Sequence, residues 1–312
     1  MGDRAEVIAI DVGGTHIKAG RFNVDGTCLA WQKLETAQPA APEVVIEQMA
    51  EIVAVLDPDR RAVAVGIGVP GPTDVAGRKA LVAINLHGWT DVPLADRLES
   101  LVDRPVKLAN DANCAGLGEA WLGAGRNSRL FMLLTLGTGV GGAVVVDGQL
   151  FTGPHGAGGE LGLIAVHPDG PECNSGNRGS LEQYVSATAI RRRTGMGGHE
   201  LDRKARAGDE QAIAHWTEIG KDLGIGLSSL IYVLTPEVIA IGGGISKCAD
   251  LFLPAAIAEI ERRVLPSSRV NLKVVPAQLG NRAGCVGAAR LAFDLWNPQS
   301  AGLAGAKIFS GI

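Results

Sequence analysis

Two glycine-rich loops in the chain each include a threonine. The first reads Asp-Val-Gly-Gly-Thr over residues 11–15, and the second reads Gly-Thr-Gly over residues 137–139. Glycine lets successive backbone N–H groups approach one anion, and a threonine hydroxyl adds a further donor. A tight hairpin turn would explain either loop by itself, but the presence of two such loops favours phosphate binding. The predicted phosphate ligands are Gly13, Gly14, Thr15, Gly137, Thr138 and Gly139.

Asp11 ends the predicted strand that leads into the first loop. An acid beside a phosphate cradle makes chemical sense mainly when Mg²⁺ lies between them, because the cation neutralises both partners. We therefore expect Asp11 to hold Mg²⁺ through a water molecule.

Asp111 lies at a predicted strand-to-helix junction, in the segment Ala-Asn-Asp-Ala-Asn over residues 109–113. An acid at this place is an ordinary helix-capping residue. It is also suited to be a general base, which in phosphoryl transfer takes the proton of the attacking hydroxyl and typically adds about 10²–10⁴-fold in rate. The two interpretations are compatible, because a carboxylate held at a helix start has a fixed orientation.

A third glycine cluster, residues 242–244, follows another predicted strand. The absence of side chains at Gly243 and Gly244 leaves a flat surface that suits an adenine or a ribose. Residues 137–142 formally match the dinucleotide fingerprint G-x-G-x-x-G, but a strand follows them where that motif needs a helix. No P-loop sequence occurs in the chain.

The elements that must position these loops form two similar sets. The first set is predicted as strands at 7–12, 17–24 and 27–34, a helix at 42–56, a strand at 62–69, a helix near 93–101, a strand at 105–109 and a helix at 111–122. After a glycine-rich hinge at 123–128 come strands at 130–136 and 143–146, helices near 182–194, 209–234 and 251–264, strands at 237–242 and 270–275, and a last helix at 283–296. Each set opens with a strand, a glycine turn and a strand that ends in Asp-Gly. This pattern predicts a duplicated α/β domain with a cleft between the copies.

Composition restricts the classes of function. The chain has 312 residues, 43 of them glycine, and a formal net charge of −4. The basic runs at 191–193 and 262–263 lie in predicted helices and indicate solvated faces rather than a nucleic-acid surface. The longest apolar region, residues 223–245, is interrupted by Pro236 and three glycines, so it does not span a membrane. The five scattered cysteines are typical of reduced thiols, and we expect a soluble cytoplasmic protein with no nucleic-acid or membrane partner.

Taken together, the motifs resemble those of the ROK family (repressors, open reading frames and kinases), and the likeness covers nearly the whole chain. The order and number of the matching segments make the resemblance specific. These segments are residues 11–15, 66–72, 85–89, 110–113, 137–141, 158–162 and 180–182.

The resemblance implies a ribonuclease-H-like, actin-like ATPase fold of the α/β class, in which two domains close on the substrates. The N-terminal domain is expected over residues 1–122, completed by a C-terminal helix at about 283–298, and the larger C-terminal domain over 123–282. The resemblance also implies transfer of the γ-phosphate of ATP to a hexose, typically to the 6-OH of glucose, with Mg²⁺ as cofactor. A homodimer or homotetramer is expected on the same ground.

By the same resemblance, Asp111 is the general base and several polar residues bind the sugar. Carboxylates and amides suit that task, because each bonds hydroxyl groups in fixed directions. For Glu160 and Glu182 the plainer alternatives are a solvated loop acid and an acid in the first turn of a helix. The expected sugar-binding residues are Gly71, Asn85, Asn110, Asp111, Glu160 and Glu182.

One segment departs from the family pattern. Family members usually carry one histidine and three cysteines around zinc, but here the histidine position is Leu163 and only Cys173 remains of the cysteines. A structural zinc takes four ligands of the Cys or His type, so we expect no zinc here. Ser175 and Ser180 replace the other thiols, and the loop is expected to be held by packing and hydrogen bonds. The nearby His155 and His167 are interpreted as surface histidines.

The missing histidine also bears on the substrate. Leaving a buried hydroxyl unpaired costs about 1–3 kcal/mol, so glucose would bind less tightly unless another group compensates. An N-acetylated sugar, such as N-acetylglucosamine or N-acetylmannosamine, whose acyl group contacts Leu163, is the alternative acceptor. Polyphosphate is the alternative donor.

Two non-catalytic alternatives remain. A sugar-sensing protein would not need Asp11, Thr15, Asp111 and Thr138 together. A DNA-binding repressor of the family would carry an added N-terminal domain, and a first strand at about Val7 is expected to leave no room for one.

Overall fold

The computed structural model describes residues 5–83 and 86–296. The chain divides into two compact units. Of the described residues, the first comprises 5–83, 86–127, 144–158 and 281–296, and the second comprises 128–143 and 159–280. Among the described residues, no helix is both long and apolar enough to cross a bilayer.

The first unit is built on a mixed sheet with the strand order β3-β2-β1-β4-β7. The antiparallel hairpin β1–β2 contains the first glycine loop, and β4 and β7 continue the sheet in parallel from β1. The strands are β1 (Glu6–Val12), β2 (His16–Asn23), β3 (Cys28–Glu35), β4 (Ala62–Val69) and β7 (Val106–Asn110). A small antiparallel pair, β5 (Ala80–Val82) with β6 (Thr90–Val92), lies outside this sheet.

Helices cover those strands of this sheet that are apolar on both faces, such as β4 with the sequence AVAVGIGV. The helices of the unit are α1 (Pro42–Leu56), α2 (Leu94–Val102), α3 (Asp111–Leu122) and α9 (Ala283–Trp296). Helix α9 packs on β1, β4 and α3. Its approach depends on glycine, since a Cβ on Gly66 would lie 1.8 Å from the Ala288 carbonyl oxygen.

The second sheet has the order β10-β9-β8-β11-β12, and β11 is parallel to both of its neighbours. The strands are β8 (Leu130–Leu136), β9 (Val140–Val146), β10 (Gln149–Leu150), β11 (Val238–Gly242) and β12 (Lys273–Pro276). The accompanying helices are α4 (Glu182–Val185), α5 (Ala187–Thr194), α6 (Gly198–Arg206), α7 (Glu210–Leu234) and α8 (Ala249–Arg263). Helices α7 and α8 pack closely at Gly220. Their approach requires glycine there, because a Cβ would lie 2.2 Å from the Phe252 carbonyl oxygen.

Several predicted boundaries are wrong. The helix expected at 182–194 is two helices, because Ser186 has extended backbone and its side chain accepts a hydrogen bond from the Ala189 N–H as the N-cap of α5. Helix α6 was not predicted, since only Leu201 and Ala205 of its polar sequence are buried. The short strands β5, β6 and β10 were also missed. Strand β9 begins at residue 140 rather than 143, and β12 begins at residue 273 rather than 270.

Candidate active site

The first glycine loop connects β1 to β2 and is held through its carbonyl groups. The Thr36 hydroxyl donates to the Gly13 oxygen at 2.6 Å, and the Thr36 N–H donates to the Thr15 oxygen at 2.9 Å. The Gln38 side-chain amide donates to the Gly14 oxygen at 3.1 Å. These bonds use loop carbonyl groups and not the N–H groups of Gly14 and Thr15, and the Thr15 side chain is exposed. The geometry suits a loop that presents donors to an anion.

Asp11 lies beside this loop with its carboxylate fixed from two sides. Its Oδ2 is 3.0 Å from Nζ of Lys18, the residue directly opposite it in the β1–β2 register. Helix α9 comes close as well, since a Cβ on Gly284 would lie 3.0 Å from Cγ of Asp11. The start of the helix and the Lys18 ammonium group therefore hold the Asp11 carboxylate in one place.

Asn110, not Asp111, is the N-cap of α3. The Asn110 side-chain oxygen accepts bonds from the N–H groups of Ala112 (2.9 Å) and Asn113 (3.2 Å). Its amide nitrogen donates to the Gly71 oxygen at 3.1 Å. Gly71 has φ of +89°, and a Cβ there would lie 2.0 Å from the Val82 oxygen, so only glycine fits this turn. The capping role that the sequence suggested for Asp111 therefore belongs to its neighbour.

Asp111 is the first residue of α3, and one oxygen of its carboxylate, Oδ1, accepts from the Ala112 N–H at 2.8 Å. Asp111 is exposed at the surface of the first unit, but desolvation by neighbouring atoms raises the pKa of its carboxyl group; the Ala112 hydrogen bond opposes the rise, and the negative charge of Asp11 adds to it. A carboxylate with a raised pKa holds a proton more firmly, as a general base for an alcohol requires. Asp111 and Asp11 thus form one electrostatic site within the first unit.

The second glycine loop, between β8 and β9, is held in the same way. The Gly137 N–H donates to the Gly139 oxygen at 2.9 Å, and the Ala187 N–H donates to the Gly137 oxygen at 2.8 Å. The Thr188 hydroxyl donates to the Thr138 oxygen at 2.8 Å. The Thr138 side chain is exposed, as Thr15 is in the first loop.

Glu182, the first residue of α4, contacts this loop directly. Its Oε2 accepts from the Val140 N–H at 2.9 Å, and a Cβ on Gly139 would lie 2.4 Å from the same oxygen. The sequence predicted only a sugar-binding role for Glu182. It did not predict this contact, which joins residues 42 positions apart. Glu160 lies at the surface of the unit, but partial burial of its carboxyl group, together with the charge of Glu182, raises its pKa.

The third glycine cluster adjoins the second loop. Gly243 has φ of +80°, and a Cβ there would lie 2.4 Å from the oxygen of Leu136, the residue before Gly137. Within the described chain, no atom lies within 4 Å of the place a Cβ would take on Gly244. Both glycines are exposed. The two glycine clusters of the second unit therefore share one surface.

The loop around Cys173 gathers the residues that replace the family's zinc ligands. Burial opposes ionisation of the Cys173 thiol, but hydrogen bonding from Ser175 outweighs it and the thiol pKa is lowered. Leu163 contributes its backbone oxygen, which accepts from the Asn177 side chain at 3.0 Å. One thiol, two hydroxyl groups and an aliphatic side chain do not fit zinc. Over residues 5–83 and 86–296, no group of three or more His, Cys, Asp or Glu side chains is arranged to hold a metal ion.

The predicted site residues fall into two groups that the structure describes separately. The first unit brings together Asp11, the loop at 13–15, Gly71, Asn110 and Asp111; the second brings together the loop at 137–139, Glu160, Glu182, Gly243 and Gly244. Asn85 lies outside the described residues. Sequence reasoning missed Lys18 and Gly284. Strand register could have found Lys18, because a hairpin that turns at residues 13–15 places it opposite Asp11.

Comparison with known proteins identifies the family. The model of the ROK family matches residues 7–294, so the chain belongs to the ROK family. This match confirms the resemblance inferred from the sequence motifs.

Named relatives cover almost the whole chain. A glucokinase of Thermotoga maritima is 36% identical over 308 residues, which cover 92% of this chain and 97% of the relative. An N-acetyl-D-glucosamine kinase of Aliivibrio salmonicida is 32% identical over 300 residues, which cover 90% of this chain and 97% of the relative.

Solved structures confirm the predicted fold class. A ROK hexokinase from Thermus thermophilus matches with a TM-score of 0.84 at 34% identity, over 92% of this chain and 98% of that one. A ROK family glucokinase from Streptomyces griseus, in complex with glucose and AMPPNP, matches with a TM-score of 0.77 at 33% identity, over 93% of this chain and 100% of that one. The fold is the two-domain α/β fold of the actin-like ATPases.

Proposed function

We propose that this chain is a hexose kinase that transfers the γ-phosphate of ATP to glucose and forms glucose 6-phosphate and ADP. The observation that carries the proposal is the environment of Asp111. An exposed carboxylate, whose pKa is raised by desolvation of the group, stands at the start of α3 in the same unit as Asp11 and the first glycine loop. The glucokinase relatives support glucose as the acceptor and ATP as the donor.

In the proposed reaction, Asp111 accepts the proton of the sugar 6-OH as that oxygen attacks the γ-phosphorus. The bond between the γ-phosphorus and the bridging oxygen of ADP breaks, and ADP leaves with the electron pair. Asn110 fixes the place of Asp111, because it caps the same helix and is tied to the Gly71 oxygen. General-base assistance of this kind typically contributes about 10²–10⁴-fold in rate.

The phosphates of ATP are proposed to bind at the first and second glycine loops, where Thr15 and Thr138 are exposed. The open backbone of Gly243 and Gly244 is the proposed place of the adenosine. Mg²⁺, when bound with ATP, would neutralise charge on the transferred phosphoryl group. Asp11 fits as its outer ligand, because its carboxylate borders the loop and has an oxygen other than the one bonded to Lys18.

The sugar hydroxyls are proposed to bind Gly71, Asn85, Asn110, Glu160 and Glu182 in addition to Asp111. Glu160 and Glu182 interact electrostatically in the second unit. A sugar hydroxyl shared between two such carboxylates would donate to one while its oxygen accepts from the other when that group is protonated.

A second acceptor is favoured by one residue. Leu163 stands where the family's histidine would be, and an acetamido group offers it an apolar methyl contact. An N-acetylhexosamine is therefore the alternative acceptor, consistent with the N-acetyl-D-glucosamine kinases among the relatives. The loop around Cys173 is proposed to function without zinc.

The experiment that tests the proposed function measures ADP release with ATP and Mg²⁺ across glucose, mannose, fructose, allose, N-acetylglucosamine and N-acetylmannosamine. We expect the highest kcat/KM with glucose. Highest turnover with an N-acetylated sugar would establish the second acceptor. Absence of turnover with ATP on every sugar would contradict the ATP-dependent activity, and a parallel series with polyphosphate would show whether the donor differs.

We also propose that the enzyme is cytoplasmic and forms a homodimer or homotetramer. The described cysteines are free, as in a reducing compartment. Light scattering of the purified protein would determine the mass of the assembly.

A further inference from the structure

A buried carboxylate with no role in the proposed reaction lies in the middle of α7. Asp222 is 7% exposed, and the neighbouring apolar residues Ile219 and Leu223 of the same helix are buried as well. An ionised carboxylate at such a position is costly unless opposite charges and hydrogen bonds compensate it. The partners of Asp222 are therefore expected to be fixed rather than interchangeable.

Two cationic or donor side chains supply that compensation. Nη1 of Arg193 is 2.7 Å from Oδ2 of Asp222, and Nε2 of His167 donates to Oδ1 at 2.9 Å. Arg193 belongs to α5 and His167 to the loop before Cys173. The Asp222 carboxylate therefore links α7 to both of these segments of the second unit. A cavity of about 510 Å³ borders all three side chains.

The same network holds helix α4. Nη1 of Arg193 donates to the backbone oxygen of Tyr184 at 2.8 Å, and the guanidinium lies 5.6 Å from the centroid of the Tyr184 ring. The centroid of the His167 ring lies 4.6 Å from the centroid of the Tyr184 ring. Tyr184 thus contacts both of the residues that bind Asp222.

Helix α4 depends on such external contacts. It has only four residues, Glu182–Val185, and a helix this short does not hold its shape alone. Its first residue is Glu182, whose carboxylate reaches the Val140 N–H. The place of that carboxylate is consequently set by whatever fixes α4.

We propose that Asp222, acting through Arg193 and Tyr184, is a positioning residue that holds Glu182 in the orientation needed to bind the sugar. This inference rests on the proposed function, which assigns Glu182 to the sugar. Asp222 does not itself touch a substrate. Through this network the buried carboxylate of Asp222 holds the four-residue helix α4 in one place. It thereby connects α7 to a residue proposed to bind the sugar.

Asp222→Asn tests the inference, because it removes the charge and keeps the size of the side chain. Glu218→Gln is the matched control: Glu218 is one turn earlier on α7 and pairs with Lys221 at the surface at 2.7 Å. We expect Asp222→Asn to raise the KM for glucose about tenfold and to change the KM for ATP by less than about twofold. Glu218→Gln is expected to leave both constants unchanged.

Coupling with Glu182 separates positioning from general damage. If Asp222 acts through Glu182, the double variant with Glu182→Gln loses no more glucose affinity than Glu182→Gln alone. Additive losses, or an unchanged KM for glucose in Asp222→Asn, would overturn the inference while leaving the proposed function intact. If Glu182→Gln itself leaves glucose binding unchanged, the assigned role of Glu182 is wrong and the inference fails with it.

Arg193→Lys decides the matter if Asp222→Asn does not fold. Lysine keeps the positive charge but lacks the planar guanidinium, whose Nη1 contacts both Asp222 and the Tyr184 oxygen and which lies over the Tyr184 ring. We expect a smaller rise in the KM for glucose, of about threefold, with the unfolding temperature close to that of the unchanged protein. A folded Arg193→Lys protein with an unchanged KM for glucose would contradict the proposal.

Discussion

At the residue scale, the surroundings of Asp111 oppose its ionisation. The residue is exposed, but neighbouring atoms partly desolvate the carboxylate and the charge of Asp11 repels it, so that the pKa of Asp111 is raised despite the bond from the Ala112 N–H. A raised pKa favours proton uptake from a sugar hydroxyl. It also means that the ionised side chain costs the folded state free energy, since the unfolded chain ionises more easily.

That cost predicts a stability change in Asp111→Asn. A carboxyl group with a raised folded-state pKa contributes stability below its unfolded pKa, and this contribution is lost as the pH rises through the folded pKa. At neutral pH the asparagine variant, which carries no charge, is therefore expected to unfold at a higher temperature than the unchanged protein. The difference is expected to shrink as the pH falls. Thermal unfolding followed at pH 7.5 and at acidic pH measures both.

Asp103→Asn is the control for that experiment. Asp103 is exposed and pairs with Arg60 at 2.8 Å on the surface of the same unit. Its replacement is expected to change the unfolding temperature little, because exposed ion pairs contribute only about 0–1 kcal/mol. A lower stability of Asp111→Asn at neutral pH would contradict the assigned environment.

At the element scale, the start of helix α9 is what fixes Asp11. A Cβ on Gly284 would lie 3.0 Å from Cγ and 3.1 Å from Oδ1 of Asp11, so this position of the helix needs glycine for close approach. The Lys18 ammonium on β2 holds the carboxylate from another direction. A residue near the end of the chain thus sets the geometry beside the first loop.

Gly284→Ala is expected to weaken the binding of Mg²⁺–ATP without weakening the fold. Alanine is a better helix former than glycine by about 1 kcal/mol, but its methyl group must displace the Asp11 carboxylate. We predict a rise of about fivefold in the KM for Mg²⁺–ATP. Steady-state kinetics measure the KM for Mg²⁺–ATP, and thermal unfolding measures the stability of the variant.

Gly198→Ala supplies the matched control. Gly198 also lies at a helix start, in α6, and no atom of the described chain is within 4 Å of the place its Cβ would take. Unchanged kinetics are expected for this variant. Equal effects of the two substitutions would show that the contact with Asp11 is unimportant.

Elements with strong apolar periodicity were predictable from the sequence, and those held by tertiary contacts were not. Helix α1 was predicted at its observed bounds because residues such as Val45, Met49 and Ile52 follow the helical period. The break at Ser186 requires a cap that only the structure reveals. The N-cap of α3 was assigned to the wrong residue because Asn110 and Asp111 are both good caps and only geometry separates them.

At the scale of the whole molecule, the two glycine loops repeat one design. In each, a threonine hydroxyl from a later segment donates to a loop oxygen: Thr36 to Gly13 in the first and Thr188 to Thr138 in the second. The repeat of the loops was visible in the sequence. The threonines that donate to the loops were not visible in it. Thr188, for example, lies 50 residues from its partner, in a helix whose start was mispredicted.

The absence of a zinc requirement is a prediction about the whole protein. Cys173 is the remaining thiol of the loop, and Leu163, Ser175 and Ser180 occupy the other positions. Elemental analysis of the purified protein is expected to find far less than one zinc per chain, because these groups do not form a four-ligand site. Activity is expected to survive treatment with a zinc chelator once Mg²⁺ is restored.

One zinc per chain, lost together with activity, would contradict that prediction. The triple substitution Leu163→His, Ser175→Cys and Ser180→Cys provides a positive control. It is expected to bind one zinc per chain, since it restores the four ligands to the loop.

The central claim, that Asp111 is the general base of a glucose kinase, is tested most directly by the turnover of Asp111→Asn. With saturating glucose and Mg²⁺–ATP, we predict that kcat falls by about 10²–10⁴-fold, while glucose still binds in a calorimeter and Asp103→Asn keeps full activity. A kcat within about threefold of the unchanged protein would contradict the claim, because a general base is worth far more than that.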